Sequence, residues 1–214
     1  EAALRESVHL PKLSREVFDY PFRPGEAVID VVPGNAATGL ARPETADGLR
    51  RITLIERHGR GVAAQAAGAD GGAPAGMGLV GGHIGCGWVR GFTVTGGAIA
   101  STIGHDSHNV CVVGDNPDDM LAAVRTVGQG GFALVRDGEV RAKIDLPLGG
   151  LMSDGTAEEV ASAHDVFMRE ARAAGVTAPL DPIMGMIFLP LPVIPTLRIR
   201  PEGMFDVTTF SYVE

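Results

Sequence analysis

Apolar positions along the chain fall into short runs separated by glycine, proline and polar clusters. Val28-Ile29-Asp30-Val31-Val32 predicts a strand closed by Pro33-Gly34-Asn35, because β-branched residues favour pleated backbone and this turn chemistry ends it. Arg51–Arg57 alternates polar and apolar positions and predicts a half-buried strand ending at His58-Gly59. The small-residue run Gly97–Ile103 predicts a buried strand against which another backbone packs closely, and Val110–Gly114 predicts a strand buried on both faces. Asn116-Pro117-Asp118-Asp119 is a helix start, with a capping side chain, a proline at the first helical position and two carboxylates on the dipole. Met120, Val124 and Val127 make that helix's apolar stripe, and Gly128 with Gly130-Gly131 ends it. Phe132–Val135 and Val140–Leu146 flank Asp137-Gly138 and predict a β-hairpin. Thr156-Ala157-Glu158-Glu159 is a capping box opening a helix to about Ala174, its inner face formed by Val160, Ala163, Phe167, Ala171 and Ala174 and its stop by Gly175. Met186–Leu189 and Thr196–Arg200 read as two further strands around a proline-rich link.

This pattern predicts an α/β (α+β) fold: a single compact domain with a mixed β-sheet and a few packed helices. Residues 1–24 read as an irregular N-terminal segment and residues 25–214 as the domain proper, interrupted at 62–78 by a flexible Ala/Gly-rich loop with room for a short helical turn at its start. The glycines of residues 81–104 include a bare G-x-G at Gly85-Cys86-Gly87, but neither a dinucleotide fingerprint nor a phosphate-binding G-K-[ST] is in place.

Composition narrows the function classes. At 214 residues the chain can bury a core without disulfides or a structural metal. Its formal charge of −8 argues against nucleic-acid binding, which needs a surface that neutralises phosphate. No apolar run approaches the roughly 20 residues of a membrane span, and the N-terminus has no basic-then-apolar signal pattern. Cys86 and Cys111 lack C-x-x-C spacing, so they read as reduced thiols of a cytoplasmic protein. The chain begins with Glu1 rather than Met, as a processed product or a piece of something longer would.

The densest chemistry is His105-Asp106-Ser107-His108-Asn109, five polar residues between two apolar strands. Two imidazoles, a carboxylate, a hydroxyl and an amide can move protons, bind metal or grip a polar heterocycle. His105, Asp106 and His108 are the catalytic candidates, and Ser107, Asn109 and His83 the substrate-binding candidates. His105, His108 and His58 are candidate metal ligands, although a catalytic site of the zinc type usually takes three protein ligands. The alternative is a hydrogen-bonded turn in which Asp106 and Asn109 satisfy backbone groups. Trp88 and Phe92 suit either base stacking or core packing. No G-x-S-x-G elbow supports a nucleophilic serine.

The stretch Gly96–Asn109 followed by Val112-Val113-Gly114 resembles the signature of the C-terminal domain of bacterial adenine deaminases, members of the amidohydrolase superfamily. Leu146-Pro147-Leu148-Gly149-Gly150-Leu151-Met152-Ser153 resembles the same domain's P-L-P-x-x-G-L-M-S segment. Asp181-Pro182 through Leu189, with Leu191–Pro195, resembles its closing stretch, and Glu56-Arg57-His58 its E-R-H strand end. The similarity runs over about residues 25–210, with Gly91-Phe92-Thr93-Val94 standing where the family has G-F-G-L.

The resemblance implies hydrolysis of adenine to hypoxanthine and ammonia by an enzyme that uses a manganese or iron pair held in a (β/α)₈ barrel. This sequence has no H-x-H pair and is too short to hold both a barrel of about 250 residues and this domain. The implied role is therefore a C-terminal domain or small subunit, with a separate amidohydrolase barrel chain as possible partner, a purine-like substrate, a homodimer as the family expectation, and a cytoplasmic location. Two other readings stay open. One is a stand-alone hydrolase or lyase acting on another small polar ring through the His-Asp-Ser-His-Asn cluster. The other is a non-catalytic binding or assembly module.

Overall fold

The structure, a computed structural model, describes residues 2–66, 83–178 and 180–213. Eight strands form one sheet: β1 (Val28–Val31), β2 (Thr38–Ala41), β3 (Leu49–Ile55), β4 (Ile84–Arg90), β5 (Gly97–Ser101), β6 (Val110–Gly114), β7 (Gly131–Arg136) and β8 (Glu139–Asp145). Their order is β2-β1-β4-β3-β6-β5-β7-β8, and β1 with β4 is the parallel pair in an otherwise antiparallel ladder. The sheet is therefore mixed, and with its packed helices it makes one compact domain, as the hydrophobic pattern predicts. The central strands β5 and β6 are buried along their whole length, which is why they read as unbroken apolar or small-residue runs.

The sheet has two covered faces. On one lie the N-terminal segment from Val8 onward, with a 3₁₀ turn at Arg15–Phe18, and α3 (Pro117–Val127). Helix α1 (Ala2–Arg5) meets the 149–154 segment through the Leu4 carbonyl, which accepts the Gly149 N–H at 2.8 Å, and the Arg5–Asp154 ion pair. Val8, Phe18, Tyr20, Met120, Val124 and Val127 pack there against Cys86, Trp88, Ala98 and Val112. On the other face lie α4 (Ala157–Ala173), α5 (Pro182–Phe188) and a small sheet of β9 (Leu197–Arg200), β10 (Gly203–Asp206) and β11 (Ser211–Tyr212). Phe167, Ala171, Met186, Leu197 and Met204 bury Ile52, Leu54, Ile99 and Leu134 on that side. Trp88 and Phe92 are both core residues, and Trp88 makes edge-on contacts with Tyr20 and Phe22.

Helix starts follow the expected chemistry. Asn116 Oδ1 accepts the Asp119 N–H at 2.8 Å, and Thr156 with Glu159 forms the reciprocal capping box. One local reading is corrected: Met186–Leu189 does not form a strand but lies at the end of α5, whose start is Asp181 accepting the Met184 N–H at 2.9 Å. A four-residue apolar run fits a buried helix as well as a strand, and the Asp-Pro start decides between them.

The glycines of β4 pack the two sheets together. A Cβ on Gly85 would lie 1.9 Å from the Arg200 carbonyl oxygen, and one on Gly87 would lie 2.5 Å from Met204 Sδ. The bare G-x-G thus lets the small sheet sit directly on β4. Helix α2 (Arg60–Ala66) provides the helical turn expected at the start of the 62–78 loop, and the rest of that loop lies outside the described residues. Among the described residues no helix is long and apolar enough to cross a membrane.

Candidate functional site

Strand register brings four separated segments to one end of the large sheet. Ile55, the last residue of β3, faces Ile84 of β4 on one side and Val110 of β6 on the other. Glu56-Arg57-His58, His83 and the His105–Asn109 turn therefore emerge side by side. Ser101 of β5 pairs with Cys111 and with Phe132, and Gly131 pairs with Asp145, which carries the 146–153 segment to the same end. Thr102 fastens it there: its hydroxyl donates to the Gly150 carbonyl at 2.7 Å and accepts the Gly131 N–H at 2.8 Å. By contrast, Gly91–Val94 leaves β4 beyond Arg90, which pairs with Leu49 at the far end of the strand. Close in sequence to the turn, it lies away from it in the fold.

The turn is held from both sides. The His105 N–H donates to the Ile187 carbonyl of α5 at 2.9 Å, and the His108 N–H to the Gly104 carbonyl at 2.7 Å. His108 adopts φ +50°, a left-handed conformation that histidine tolerates better than most residues. His105, Asp106 and Ser107 are exposed, His108 is half-buried and Asn109 is buried. The two imidazole centroids lie 6.3 Å apart with a 34° tilt. Asn109 Nδ2 donates to Ser107 Oγ at 3.2 Å, and His58 Nε2 lies 2.9 Å from the Ser107 carbonyl, to which it donates when it carries the proton.

Beneath the turn lies Arg57, 2% exposed. Its Nε donates to the His108 carbonyl and its Nη2 to the Gly149 carbonyl at 2.9 Å. Its own carbonyl accepts the His9 N–H at 2.8 Å. Among the described residues no carboxylate pairs with this guanidinium, and burial pulls its pKa down. The neighbouring Glu56 is fully buried and accepts the His58 N–H at 2.7 Å and the Gly61 N–H at 3.0 Å. Burial alone would raise its pKa, but those two N–H groups and Arg60 outweigh burial and hold it below the usual value.

His108 is shifted down from the ordinary imidazole value, first by burial and then by the Arg57 cation, with smaller contributions from His105 and His58 against an opposing one from Asp106. Arg57 Nη1, His108 Nδ1 and Asn109 Oδ1 are buried without a hydrogen-bond partner, and they are three of the six such side-chain atoms among the described residues. Native proteins rarely leave such atoms unpaired, and an ordered water is the usual partner where the protein supplies none.

The sequence candidates thus fall into one neighbourhood, though not one constellation. His58 and residues 105–109 are in contact, whereas His83 is half-buried beside Gly61 and joins through its carbonyl, which accepts the Glu56 N–H at 2.9 Å. His58, His105 and His108 do not by themselves fit a metal: among the described residues no group of three or more His, Cys, Asp or Glu is arranged to hold an ion. Cys86 and Cys111 are free and buried, their thiols pushed up to about 12, which leaves them poor nucleophiles. Sequence reasoning did not single out Arg57 or Gly149-Gly150 as site residues. The available signal was their place in two segments of the family resemblance.

Comparison with known proteins gives a consistent relationship. The family model for the adenine deaminase C-terminal domain matches residues 79–211. Adenine deaminase 1 of Rhizobium meliloti (strain 1021) is 38% identical over 222 aligned positions, which cover 97% of this chain and 36% of that protein. Adenine deaminase of Methylobacterium sp. (strain 4-46) is 42% identical, over 95% of this chain and 35% of its own length. The adenine deaminase of Nitratidesulfovibrio vulgaris (Hildenborough) is 34% identical, over 99% and 36%. The chain spans about a third of the length of these curated relatives.

Proposed function

The chain belongs to the adenine deaminase C-terminal domain family, and from that premise we propose that it is the C-terminal domain or small subunit of a metal-dependent aminohydrolase converting adenine and water to hypoxanthine and ammonia. By the family resemblance the metal, manganese or iron, would be held by a barrel outside these 214 residues; among the described residues no group of three or more His, Cys, Asp or Glu is arranged to hold it. When bound, such a metal supplies a hydroxide nucleophile at neutral pH. The part of this chain is to complete and shape the site. His105 and Asp106, exposed on the turn, are placed to exchange protons with a polar ring or its leaving amine. His108, kept neutral by burial and by Arg57, can hydrogen-bond without adding charge. Ser107, Asn109 and His83 complete the polar lining.

The observation that carries this reading is the exposed polar edge His105-Asp106-Ser107 of the turn, backed by three buried polar atoms without partners, Arg57 Nη1, His108 Nδ1 and Asn109 Oδ1. That edge is open to solvent and so accessible to a substrate or another component. A non-catalytic assembly role is favoured by a different observation: much of the turn is tied to itself and to its neighbours through Ser107, His58 and Arg57.

Adenine turnover by the purified chain, alone and mixed with a family barrel, with Mn(II) or Fe(II) added, separates these readings. The expected result is turnover only in the mixture, reduced by His105→Ala at unchanged association. Turnover by the chain alone, abolished by His105→Ala, would establish a stand-alone enzyme. Unchanged activity of the His105→Ala mixture would leave the turn an assembly element.

A further inference from the structure

We propose that Arg57 is the positioning residue of the site: its guanidinium fork holds the His105–Asn109 turn and the Gly149-Gly150 loop in one fixed relation, and so aims the two imidazoles. The inference deepens the functional reading above and rests on it for the claim that the turn meets substrate.

Arg57 reaches two segments that are far from it in sequence, 51 residues to His108 and 92 to Gly149. Both acceptors are backbone carbonyls, so the fork fixes main chain rather than side chain. The carbonyl it takes at His108 belongs to the residue at φ +50°, the point where the turn reverses. Gly150 closes the arrangement from the other side: a Cβ there would lie 2.3 Å from Nη1 and 3.0 Å from Cζ. The guanidinium is thus wedged between a glycine and two carbonyls, with its orientation set by packing. A lysine cannot reproduce this, since an ammonium is a point charge and lacks the planar fork that spans two acceptors.

The test uses the 214-residue chain and two variants that disturb the fork from opposite sides, Arg57→Lys and Gly150→Ala. Amide hydrogen exchange is read at His108, whose N–H closes the turn, and at Val112 in the middle of β6 as an internal measure of global opening. The expected result is His108 exchange faster by about tenfold relative to Val112 in both variants, together with a changed His108 ring ¹⁵N signature. Parallel changes at the two amides, or none at His108, would overturn the positioning role.

Adenine turnover of each variant mixed with the barrel is the second arm. A fall in kcat larger than the loss of folded protein, with KM changed less, supports the role in the reaction. Selective release of the turn with turnover intact would sink the functional reading and leave the Arg57 fork standing.

Discussion

Gly149 and Gly150 both sit at positive φ, +69° and +70°, yet only Gly150 faces a side chain. Alanine at Gly149 meets nothing within 4 Å and carries only the left-handed backbone cost, about 1–2 kcal/mol. Alanine at Gly150 adds a clash with Arg57, and the sum is roughly 2–5 kcal/mol. Urea unfolding of the two variants should therefore give clearly different midpoints at similar slopes; equal losses would mean that the guanidinium moves aside freely. His108 makes a pH prediction. Its folded pKa lies below the unfolded 6.5, so the folded state favours the neutral ring. That contribution is complete above pH 6.5 and is lost as pH falls through 6.5 toward the folded value, because the unfolded chain binds the proton first. The groups acting on the ring are Arg57, His105, Asp106 and His58, and all remain in His108→Asn. The urea midpoint of the parent should drop more between about pH 7.5 and 5.5 than that of this variant; identical drops would refute the assignment. The turn itself was legible, because five polar residues interrupt two apolar strands. Arg57 was not: a lone arginine at a strand end reads as surface, and only the register of β3 with β4 and β6 shows that it is buried.

At the scale of elements, Asp119 ties a helix to a hairpin. Its carboxylate accepts from Asn116 Nδ2 at 2.7 Å, from Asp137 N at 3.1 Å and from Gly138 N at 2.8 Å. It therefore joins the cap of α3 to the turn between β7 and β8. Asn116→Ala should cost about 1 kcal/mol, the usual loss of an N-cap. Asp119→Ala strips partners from several donors at once and should cost about 2–4 kcal/mol. The double variant should lose less than the sum, since the two side chains are bonded to each other. Strict additivity in chemical denaturation would refute this shared network. The helix start at Asn116-Pro117 was readable because capping is local chemistry. The reach of Asp119 to the hairpin was not, since it depends on how α3 lies against β5 and β7. The start of α5 carries the same kind of signal, Asp181-Pro182, and the apolar run behind it masked the helix. Strand β4 was missed for a different reason: Gly85 and Gly87 lower strand propensity, and their purpose appears only once the small sheet is seen lying on them.

For the molecule as a whole, the N-terminal segment has little regular structure and yet closes one face of the sheet. Its apolar residues Val8, Leu10, Leu13, Val17, Phe18, Tyr20 and Phe22 carry only short, conflicting stretches of helical and strand spacing, and apart from the 3₁₀ turn at Arg15–Phe18 the segment packs on the sheet as a strap. Spacing so short predicts no long element, which is why the sequence reads there as an irregular segment. Tyr20 shows the depth of the attachment: its hydroxyl donates to a carbonyl of the central strands, with Ile52 O and Gly87 O each at 2.9 Å. Val8, Phe18 and Tyr20 are buried, and at about 1.5–3 kcal/mol per buried side chain they contribute on the order of 4–9 kcal/mol. That is comparable with the whole stability of a typical domain, about 5–15 kcal/mol. A chain starting at residue 25 would also uncover Trp88 and Cys86 on the sheet face and part of α3. We predict that this shortened chain loses cooperative thermal unfolding and binds a dye for exposed apolar surface, while retaining much of its far-ultraviolet strand signal. A shortened chain that melts cooperatively within a few degrees of the parent would show that the strap is dispensable and that the fold is complete from β1 onward.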